Sequence, residues 1–213
     1  MSRYDALVVD YGGVLTSPVQ DAMVGFAAEI GVELQDFVRV ALAAYAGGGD
    51  DLVVGFETGR VPEEQFARAF ARRLSAIAPE PVAPEGLLRR MFARLDPDPA
   101  MEAAVRAARA AGLRTALLSN SWGAELYPRD GFGRLFDVVV ISGEVGMRKP
   151  ERAIFLLAAE RLGVEPAACV FVDDTPEHLR GAQDVGMTTV LHRTPAQTIA
   201  ELEALLGVAL VPS

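Results

Sequence analysis

Short apolar runs recur along the chain and alternate with longer amphipathic stretches. Five of these runs are bounded by polar or turn residues, a pattern typical of buried parallel strands. They span residues 6–10, 114–120, 136–142, 168–174 and 188–192. The stretches between the later runs predict helices over residues 101–112, 150–163 and 176–186, the second opening with proline at its first helical position. Strands that alternate with helices of this length predict an α/β fold with a parallel sheet.

Residues 18–95 interrupt the alternation. The one candidate strand in this segment is LVVGF (52–56), whereas apolar side chains elsewhere recur at helical spacing, among them Phe66, Phe70 and Leu74. The sequence therefore predicts a core domain made of residues 1–17 and 96–213, with a helical domain of residues 18–95 inserted after the first strand.

The position of the insert leaves two roles open. A segment that follows the carboxyl end of a strand lies over the edge where α/β sheets bind ligands. The insert is therefore either a lid that closes on a substrate and excludes water, or a helical decoration that only adds core.

Composition narrows the class of protein. Apolar residues make up 51% and charged residues 23% of the chain, as in ordinary soluble globular proteins. Lys and Arg total 20 against 29 Asp and Glu, so the net charge of −9 argues against broad binding to nucleic acid or to an anionic membrane. The apolar run before Asp10 is too short for a signal peptide or a membrane span, which predicts a cytoplasmic protein. A monomer and a homodimer both remain open.

Polar residues with catalytic potential stand where the predicted strands end. Asp10 follows the first strand, and Lys149 lies seven residues beyond the third. The second strand ends at Ser119 and Asn120, and the fourth at Asp173 and Asp174. Because the carboxyl ends of parallel strands share one edge of the sheet, we expect all of these side chains to converge there.

The residue types at this edge suit phosphate chemistry. A carboxylate such as Asp10 can act as a nucleophile and form an acyl phosphate. Together with Asp173 and Asp174 it suits Mg²⁺, which prefers oxygen ligands and would let an anionic phosphate approach an anionic nucleophile. Lys149 would supply a positive charge and Ser119 a hydroxyl donor for the transferring group.

The ordered motifs resemble those of the haloacid dehalogenase superfamily of hydrolases. They are VVDYGGVL at the first strand, ALLSNS at the second, GMRKP at the start of the second predicted helix and FVDD at the fourth strand. Their order and spacing match over essentially the whole chain, and the subset similar to the amino-terminal domain of epoxide hydrolases is closest. The resemblance implies a Rossmann-like core with an inserted α-helical cap, and a Mg²⁺-dependent phosphatase of small phosphorylated metabolites.

The resemblance also implies a set of metal ligands. Asp10 would be both the nucleophile and a ligand, and the carbonyl oxygen of Gly12 would be a second ligand. Asp174 would bind the metal directly, whereas Asp173 would act through water or from the second coordination layer.

The same resemblance implies contacts to the phosphoryl group. Ser119 and Lys149 would hold it, with Lys149 also orienting Asp10. Asn120 would add a backbone N–H, and Gly13 would let the backbone approach the phosphate without a side chain in the way.

The chain departs from the phosphatase pattern at Gly12. Relatives with a second aspartate there use it to protonate the leaving group, a task that glycine cannot perform. Thr16, His178, a cap residue or metal-bound water could replace it, or the substrate could have a good leaving group. We expect an active enzyme, with a phospho-ligand-binding protein and a dehalogenase-type hydrolase as the alternatives.

Two further side chains are candidates for substrate contact. Thr16 follows the first motif, and Trp122 follows the second. The indole of Trp122 could stack on a substrate ring or wall the pocket, or it could simply pack beneath the insert. His178, as a lone histidine just after the fourth motif, is expected to be a helix-surface residue.

Overall fold

A parallel five-stranded sheet forms the centre of the protein, as a computed structural model of residues 3–46, 52–123 and 126–210 shows. The strand order is β3-β2-β1-β4-β5. The strands are β1 (Ala6–Val9), β2 (Arg114–Ser119), β3 (Val138–Ile141), β4 (Cys169–Asp173) and β5 (Thr188–Leu191). The predicted α/β fold with a Rossmann-like parallel sheet is confirmed.

Helices surround the sheet and fill the segment between β1 and β2. Those between β1 and β2 are α1 (Val19–Glu29), α2 (Leu34–Ala46), α3 (Leu52–Glu57), α4 (Glu63–Ser75), α5 (Leu87–Met91) and α6 (Pro99–Ala110). The later ones are α7 (Arg129–Leu135), α8 (Ser142–Val145), α9 (Arg152–Leu162), α10 (Pro176–Gln183) and α11 (Pro195–Leu206). None of the helices in the described residues is both long and apolar enough to cross a lipid bilayer.

The sheet is covered on both faces because successive side chains of a strand point to opposite sides. Leu7 and Val9 of β1 belong to a cluster with apolar residues of α6, α7 and α11. Ala6 and Val8 belong to the opposite cluster, with residues of α9 and α10. Double coverage explains why the strands read as continuous apolar runs rather than as alternating ones.

The strand order places β1 at the point where the chain reverses its direction across the sheet. From β1 the chain moves outward to β2 and β3, then returns to β4 on the other side of β1. Val9 is in register with Leu117 of β2 and with Val172 of β4. The next residue, Asp10, therefore stands at a topological switch point, where α/β sheets form ligand crevices.

Helices α1 to α5 pack around an apolar cluster of their own. Phe26, Phe37 and Leu74 are fully buried in it, and the Phe66 ring stacks on both Phe56 and Phe70, with centroid distances of 4.3 and 5.4 Å. The two chain crossings that connect this helical segment to the sheet lie side by side.

At these crossings the Ser17 amide donates to the carbonyl of Asp96 at 2.8 Å, and Thr16 forms an antiparallel bridge with Pro97. The predicted boundaries of the insert, 17/18 and 95/96, fall at this junction. The division into two domains stays a prediction.

The candidate strand over residues 52–56 is wrong, because this stretch forms helix α3. Leu52, Val53 and Phe56 all bury their side chains in the cluster of the helical segment. Packing against α2 and α4 thus overrides the strand preference of the two valines, since strand propensity reflects mainly the surface on which a residue packs.

The other differences from the predicted elements lie at the boundaries of helices and strands and in three helices that the periodicity did not indicate. The second predicted helix begins at Arg152 rather than at Pro150, which precedes its N-cap residue Glu151. Helices α7, α8 and α11 were not predicted. For α11 the signal was present: Thr194 before a proline caps the helix by accepting from the Gln197 amide at 3.3 Å.

The contact between α8 and the turn after α3 predicts a position-specific loss of stability when a methyl group is added at Gly59. Its φ is +72°, and an added Cβ would lie 2.3 Å from the backbone carbonyl oxygen of Gly143, which cannot rotate away. Gly163 has a φ of +71° and no atom within 4 Å of its Cβ position. Gly163→Ala should therefore cost only the left-handed backbone term of about 1–2 kcal/mol, and Gly59→Ala about 1–3 kcal/mol more.

Urea unfolding of the two variants, followed by circular dichroism, measures both costs. Equal losses of unfolding free energy in Gly59→Ala and Gly163→Ala would show that the turn after α3 does not pack against α8 as described.

Candidate active site

Residues from the ends of β1, β2 and β4, and from the loop that follows β3, meet at one edge of the sheet. Asp10, Asn120, Lys149 and Asp174 all line a cavity of about 340 Å³ between this edge and helices α1 to α5. Gly12 and Trp122 line it as well. The expected convergence of the strand ends is therefore present for these residues.

The ammonium group of Lys149 joins two of the carboxylates. Its Nζ lies 2.8 Å from Oδ1 of Asp10 and 2.6 Å from Oδ2 of Asp173, and the side chain is fully buried. A buried charge is tolerated when it is paired and hydrogen-bonded, as here. This burial agrees with the expectation that Lys149, which precedes a proline, is not a solvated surface lysine.

Asn120 fixes the backbone from which Lys149 projects. Its Oδ1 accepts from the Lys149 amide at 2.9 Å, and its Nδ2 donates to the Lys149 carbonyl at 3.2 Å. The two bonds tie the end of β2 to the loop after β3. Asn120 thus positions the lysine through its side chain, a role distinct from the predicted backbone contact to phosphate.

Burial and the shared lysine set the ionisation of the two carboxyl groups. Burial and the charge of Asp173 outweigh Lys149 and raise the pKa of Asp10 from 3.8 to about 6. Burial also acts on Asp173, but Lys149 and His178 outweigh it and lower its pKa to about 2. Burial opposes the charge of Lys149, yet both aspartates raise its pKa. The ammonium group of Lys149 lies closer to Asp173 than to Asp10. The buried charge of Asp10 is therefore compensated less well than that of Asp173.

The oxygen atoms of Asp173 are more fully occupied than those of Asp10 and Asp174. Asp173 accepts from Lys149, from the Thr175 amide at 2.8 Å and from the His178 ring. Within the part of the chain that the structure describes, Oδ2 of Asp10 and Oδ2 of Asp174 have no hydrogen-bond donor. These two oxygens are thus available to a cation or a substrate.

Three side chains at the site lie close enough together to share a divalent cation. One ligand atom each from Asp10, Asp173 and His178 lies within 4.8 Å of the others. However, His178 and Asp173 hydrogen-bond to each other, and Lys149 holds only one of the two oxygens of Asp10. The oxygens of Asp10 and Asp174 suit a hard ion such as Mg²⁺ better. Carboxylate oxygens of the kind that Mg²⁺ prefers are therefore present at the site, and the predicted ligand roles of Asp10, Gly12, Asp173 and Asp174 stay predictions.

Gly12 is packed against the indole ring of Trp122. A Cβ atom on Gly12 would lie 1.9 Å from Cζ2 and 2.1 Å from Cη2 of Trp122. The indole also stacks on Phe92, with a centroid distance of 4.9 Å. Trp122 thus walls the cavity and fills the space that an acidic side chain at position 12 would need.

Three residues predicted to contact phosphate or substrate, namely Ser119, Gly13 and Thr16, are not among the residues that line the cavity. Ser119 is fully buried and its hydroxyl bonds to the Tyr127 hydroxyl at 2.9 Å. The Gly13 amide donates to Oγ1 of Thr16 at 3.1 Å, and the Thr16 hydroxyl donates to the Ser17 carbonyl. These bonds shape the loop after β1. The predicted roles of Ser119, Gly13 and Thr16 toward phosphate or substrate stay predictions.

The expectation that His178 is a plain helix-surface residue is wrong. It lies in the first turn of α10, lines the cavity, and places Nδ1 at 3.1 Å from both oxygens of Asp173. Its spacing of five residues from Asp173 was visible in the sequence. The sequence did not show the short turn between β4 and α10, which brings the His178 ring back to the carboxylate of Asp173.

The cavity also contains a second ion pair, which the sequence did not predict. Arg148 lies next to Lys149 and donates through Nε to Oε2 of Glu57 at 2.6 Å. Both residues line the cavity. Because Glu57 and Arg148 are far apart in the sequence, no local pattern pointed to their contact.

The chain belongs to the haloacid dehalogenase-like hydrolase family, whose model matches residues 4–186. The resemblance that the motifs indicated is confirmed, and phosphatases are among the relatives of the chain. Its fold and the carboxyl-end cavity are those expected from that resemblance.

Three curated relatives illustrate the relationship. Acyl-CoA dehydrogenase family member 10 of Mus musculus is 33% identical over 96% of this chain and 19% of its own length. Bifunctional epoxide hydrolase 2 of Sus scrofa is 36% identical over 47% of this chain and 19% of its own length. Phosphoserine phosphatase of Thermus thermophilus is 34% identical over 70% of this chain and 57% of its own length. The chain thus spans less than two thirds of each.

Solved structures share the fold. A HAD-like hydrolase from Porphyromonas gingivalis aligns with a TM-score of 0.71 at 22% identity, covering 96% of this chain and 98% of its own. A HAD family enzyme from Bacteroides thetaiotaomicron, solved with magnesium and inorganic phosphate, aligns with a TM-score of 0.64 at 19% identity, covering 89% and 94%.

The contact between Gly12 and Trp122 predicts the effect of a methyl group at position 12. Gly12→Ala must displace the indole and disrupt its stack on Phe92, which should cost about 1–3 kcal/mol of stability. Trp122 is the single tryptophan of the chain, so its emission spectrum reports the displacement directly. We expect a red shift in Gly12→Ala and none in Gly131→Ala, where an added Cβ meets no atom within 4 Å. An unchanged emission spectrum in Gly12→Ala would refute this packing.

The raised pKa of Asp10 predicts that this residue weakens the fold at neutral pH. Its folded pKa of about 6 exceeds the ordinary value of 3.8, so ionisation opposes folding. The penalty is absent below pH ~4, grows up to pH ~6 and is constant above that. In a chelating buffer at pH 7, Asp10→Asn should be more stable than wild type by about 1–3 kcal/mol.

Chemical denaturation between pH 4 and pH 8 measures this gain, and Asp173→Asn is its matched control. The pKa of Asp173 is lowered, so its charge supports folding above pH ~4 and this support is lost as the pH falls toward ~2. Asp173→Asn should therefore lose stability at pH 7. A loss in Asp10→Asn at that pH would contradict the assigned ionisation.

Proposed function

We propose that the protein is a Mg²⁺-dependent phosphatase that hydrolyses a small phosphorylated metabolite through an aspartyl phosphate on Asp10. The main support is the hydrogen bonding of Asp10. Its Oδ1 accepts from the Tyr11 amide at 2.7 Å and from Lys149, which leaves Oδ2 at the cavity without a donor in the described residues. A carboxylate held by one oxygen presents the other as a positioned nucleophile.

The proposed reaction has two displacement steps at phosphorus. Oδ2 of Asp10 attacks the phosphorus atom, the ester P–O bond breaks, and the electron pair leaves with the alcohol oxygen. Water then attacks the phosphorus atom of the aspartyl phosphate, which releases inorganic phosphate and restores Asp10. With a pKa of about 6, Asp10 is mostly ionised and nucleophilic at neutral pH.

Lys149 has two tasks in this proposal. It holds Oδ1 of Asp10 so that Oδ2 faces the substrate, and it places a positive charge beside the reacting group. Asp173, with His178, anchors the ammonium on the opposite side. Asp173 therefore acts by positioning Lys149 rather than by contact with the substrate.

Asp10, Asp174 and the carbonyl oxygen of Gly12 would hold the Mg²⁺ ion. When bound, the ion would offset the repulsion between the substrate phosphate and the carboxylates. The magnesium and phosphate in the Bacteroides thetaiotaomicron relative agree with this proposal. Residues 18–95 would serve as the cap, because helices α1 to α5 supply the wall of the cavity opposite Asp10.

Release of phosphate from an activated aryl phosphate tests the proposal. We expect Mg²⁺-dependent turnover in wild type, a loss of at least about 10²-fold in Asp10→Asn, and a raised Mg²⁺ requirement in Asp174→Asn. Asp184→Asn, which changes a residue outside the cavity, is the matched control. Binding of phosphate esters without turnover would support the phospho-ligand-binding alternative, and release of halide from a haloacid would support the dehalogenase alternative.

A further inference from the structure

The cavity beside Asp10 has one polar end and one apolar end. Asp10, Lys149 and Asp174 line the polar end at the sheet. Helices α1 to α5 supply the opposite walls, and the side chains they direct into the cavity are mainly apolar. Examples from four of these helices are Met23, Ala41, Phe70, Leu88 and Met91. A phosphoryl group held at Asp10 would thus direct its alcohol portion toward hydrocarbon.

The basic side chains that line the cavity are already paired, that of His178 with Asp173 among them. Arg148 and Glu57 bind each other at 2.6 Å, and Lys149 is bound by Asp10 and Asp173. Among the described residues that line the cavity, no cation therefore remains for a second acidic group of a substrate. Sugar hydroxyls against these walls would lose their hydrogen bonds with water and gain few in return.

Trp122 extends the apolar lining up to the reacting group. Its indole occupies the space over Gly12 and stacks on Phe92, so two aromatic rings lie between the nucleophile loop and the helical segment. The volume of about 340 Å³ is near the lower end of ligand pockets, which are about 300–1,000 Å³. The cavity is therefore suited to a small alcohol.

We propose that the substrate is a phosphate monoester of a small, uncharged, apolar alcohol, with an aryl alcohol preferred. This proposal rests on the proposed phosphatase function and adds the class of leaving group. When the P–O bond breaks, the electron pair goes to the alcohol oxygen, which takes its proton from water. A phenolic oxygen holds the negative charge well, and it therefore suits a site in which Gly12 supplies no acid.

A series of phosphate monoesters of 4-alkylphenols tests the class of leaving group. From phenyl to 4-butylphenyl phosphate the acidity of the phenol changes little while its apolar surface grows. We expect kcat/KM to rise about four-fold per methylene group until the cavity is filled. The polar analogue 4-(hydroxymethyl)phenyl phosphate should be at least about ten-fold poorer than 4-ethylphenyl phosphate.

Two outcomes of the series would overturn the inference in distinguishable ways. A flat series, or a preference for the hydroxymethyl ester or for glycerol 3-phosphate, in turnover that Asp10→Asn abolishes, would refute the apolar substrate while leaving the phosphatase in place. No Asp10-dependent turnover of any ester would refute the phosphatase function on which the inference rests.

Neighbouring residues of α1 offer a matched pair of variants. Met23 lines the cavity, whereas Val24 is 42% exposed on the outer side of the same helix. Met23→Gln keeps the length of the side chain but makes it polar, so it should reduce the ratio of kcat/KM for 4-butylphenyl over phenyl phosphate by about five-fold or more. Val24→Gln should leave the ratio unchanged. An unchanged ratio in folded Met23→Gln, checked by circular dichroism, would contradict contact between the alcohol and this wall.

Discussion

The shared ammonium group of Lys149 is the interaction on which the site depends. It is fully buried between Asp10 and Asp173, so neither carboxylate can move away without leaving a charge unpaired in the interior. The three residues come from the end of β1, the end of β4 and the loop after β3. The ion triad therefore requires the strand order in which β4 lies next to β1. The same triad leaves Asp10 with the raised pKa and one oxygen available for reaction.

Much of this arrangement could be predicted from the sequence, because it depends on local patterns and a general rule. Apolar runs that end in Asp10, Asn120 or Asp173 indicate buried strands, and parallel strands place their carboxyl ends on one edge. The helical nature of residues 18–95 was also visible from Phe66, Phe70 and Leu74. These features need only the periodicity of side chains along each element.

Most of the remaining features depend on contacts between distant segments and could not be read locally. LVVGF forms a helix because α2 and α4 surround it, and its valines alone favour a strand. The packing of Trp122 over Gly12 and the pairing of Glu57 with Arg148 join residues that are far apart in the sequence. The contact of His178 with Asp173 is local, but it depends on the geometry of the turn between β4 and α10. Gly12 therefore packs against the aromatic wall that Trp122 and Phe92 form. The same packing leaves no room for a carboxylate at position 12 and makes this part of the cavity apolar.

The central claim is that Asp10 becomes phosphorylated during turnover. Acid quenching of the enzyme during hydrolysis of an aryl phosphate, followed by borohydride reduction, would convert an aspartyl phosphate into homoserine, which peptide mass spectrometry detects at its position in the sequence. The account predicts homoserine at position 10, dependent on both substrate and Mg²⁺. Homoserine at a different aspartate, or none at position 10 in enzyme that is releasing phosphate, would contradict it.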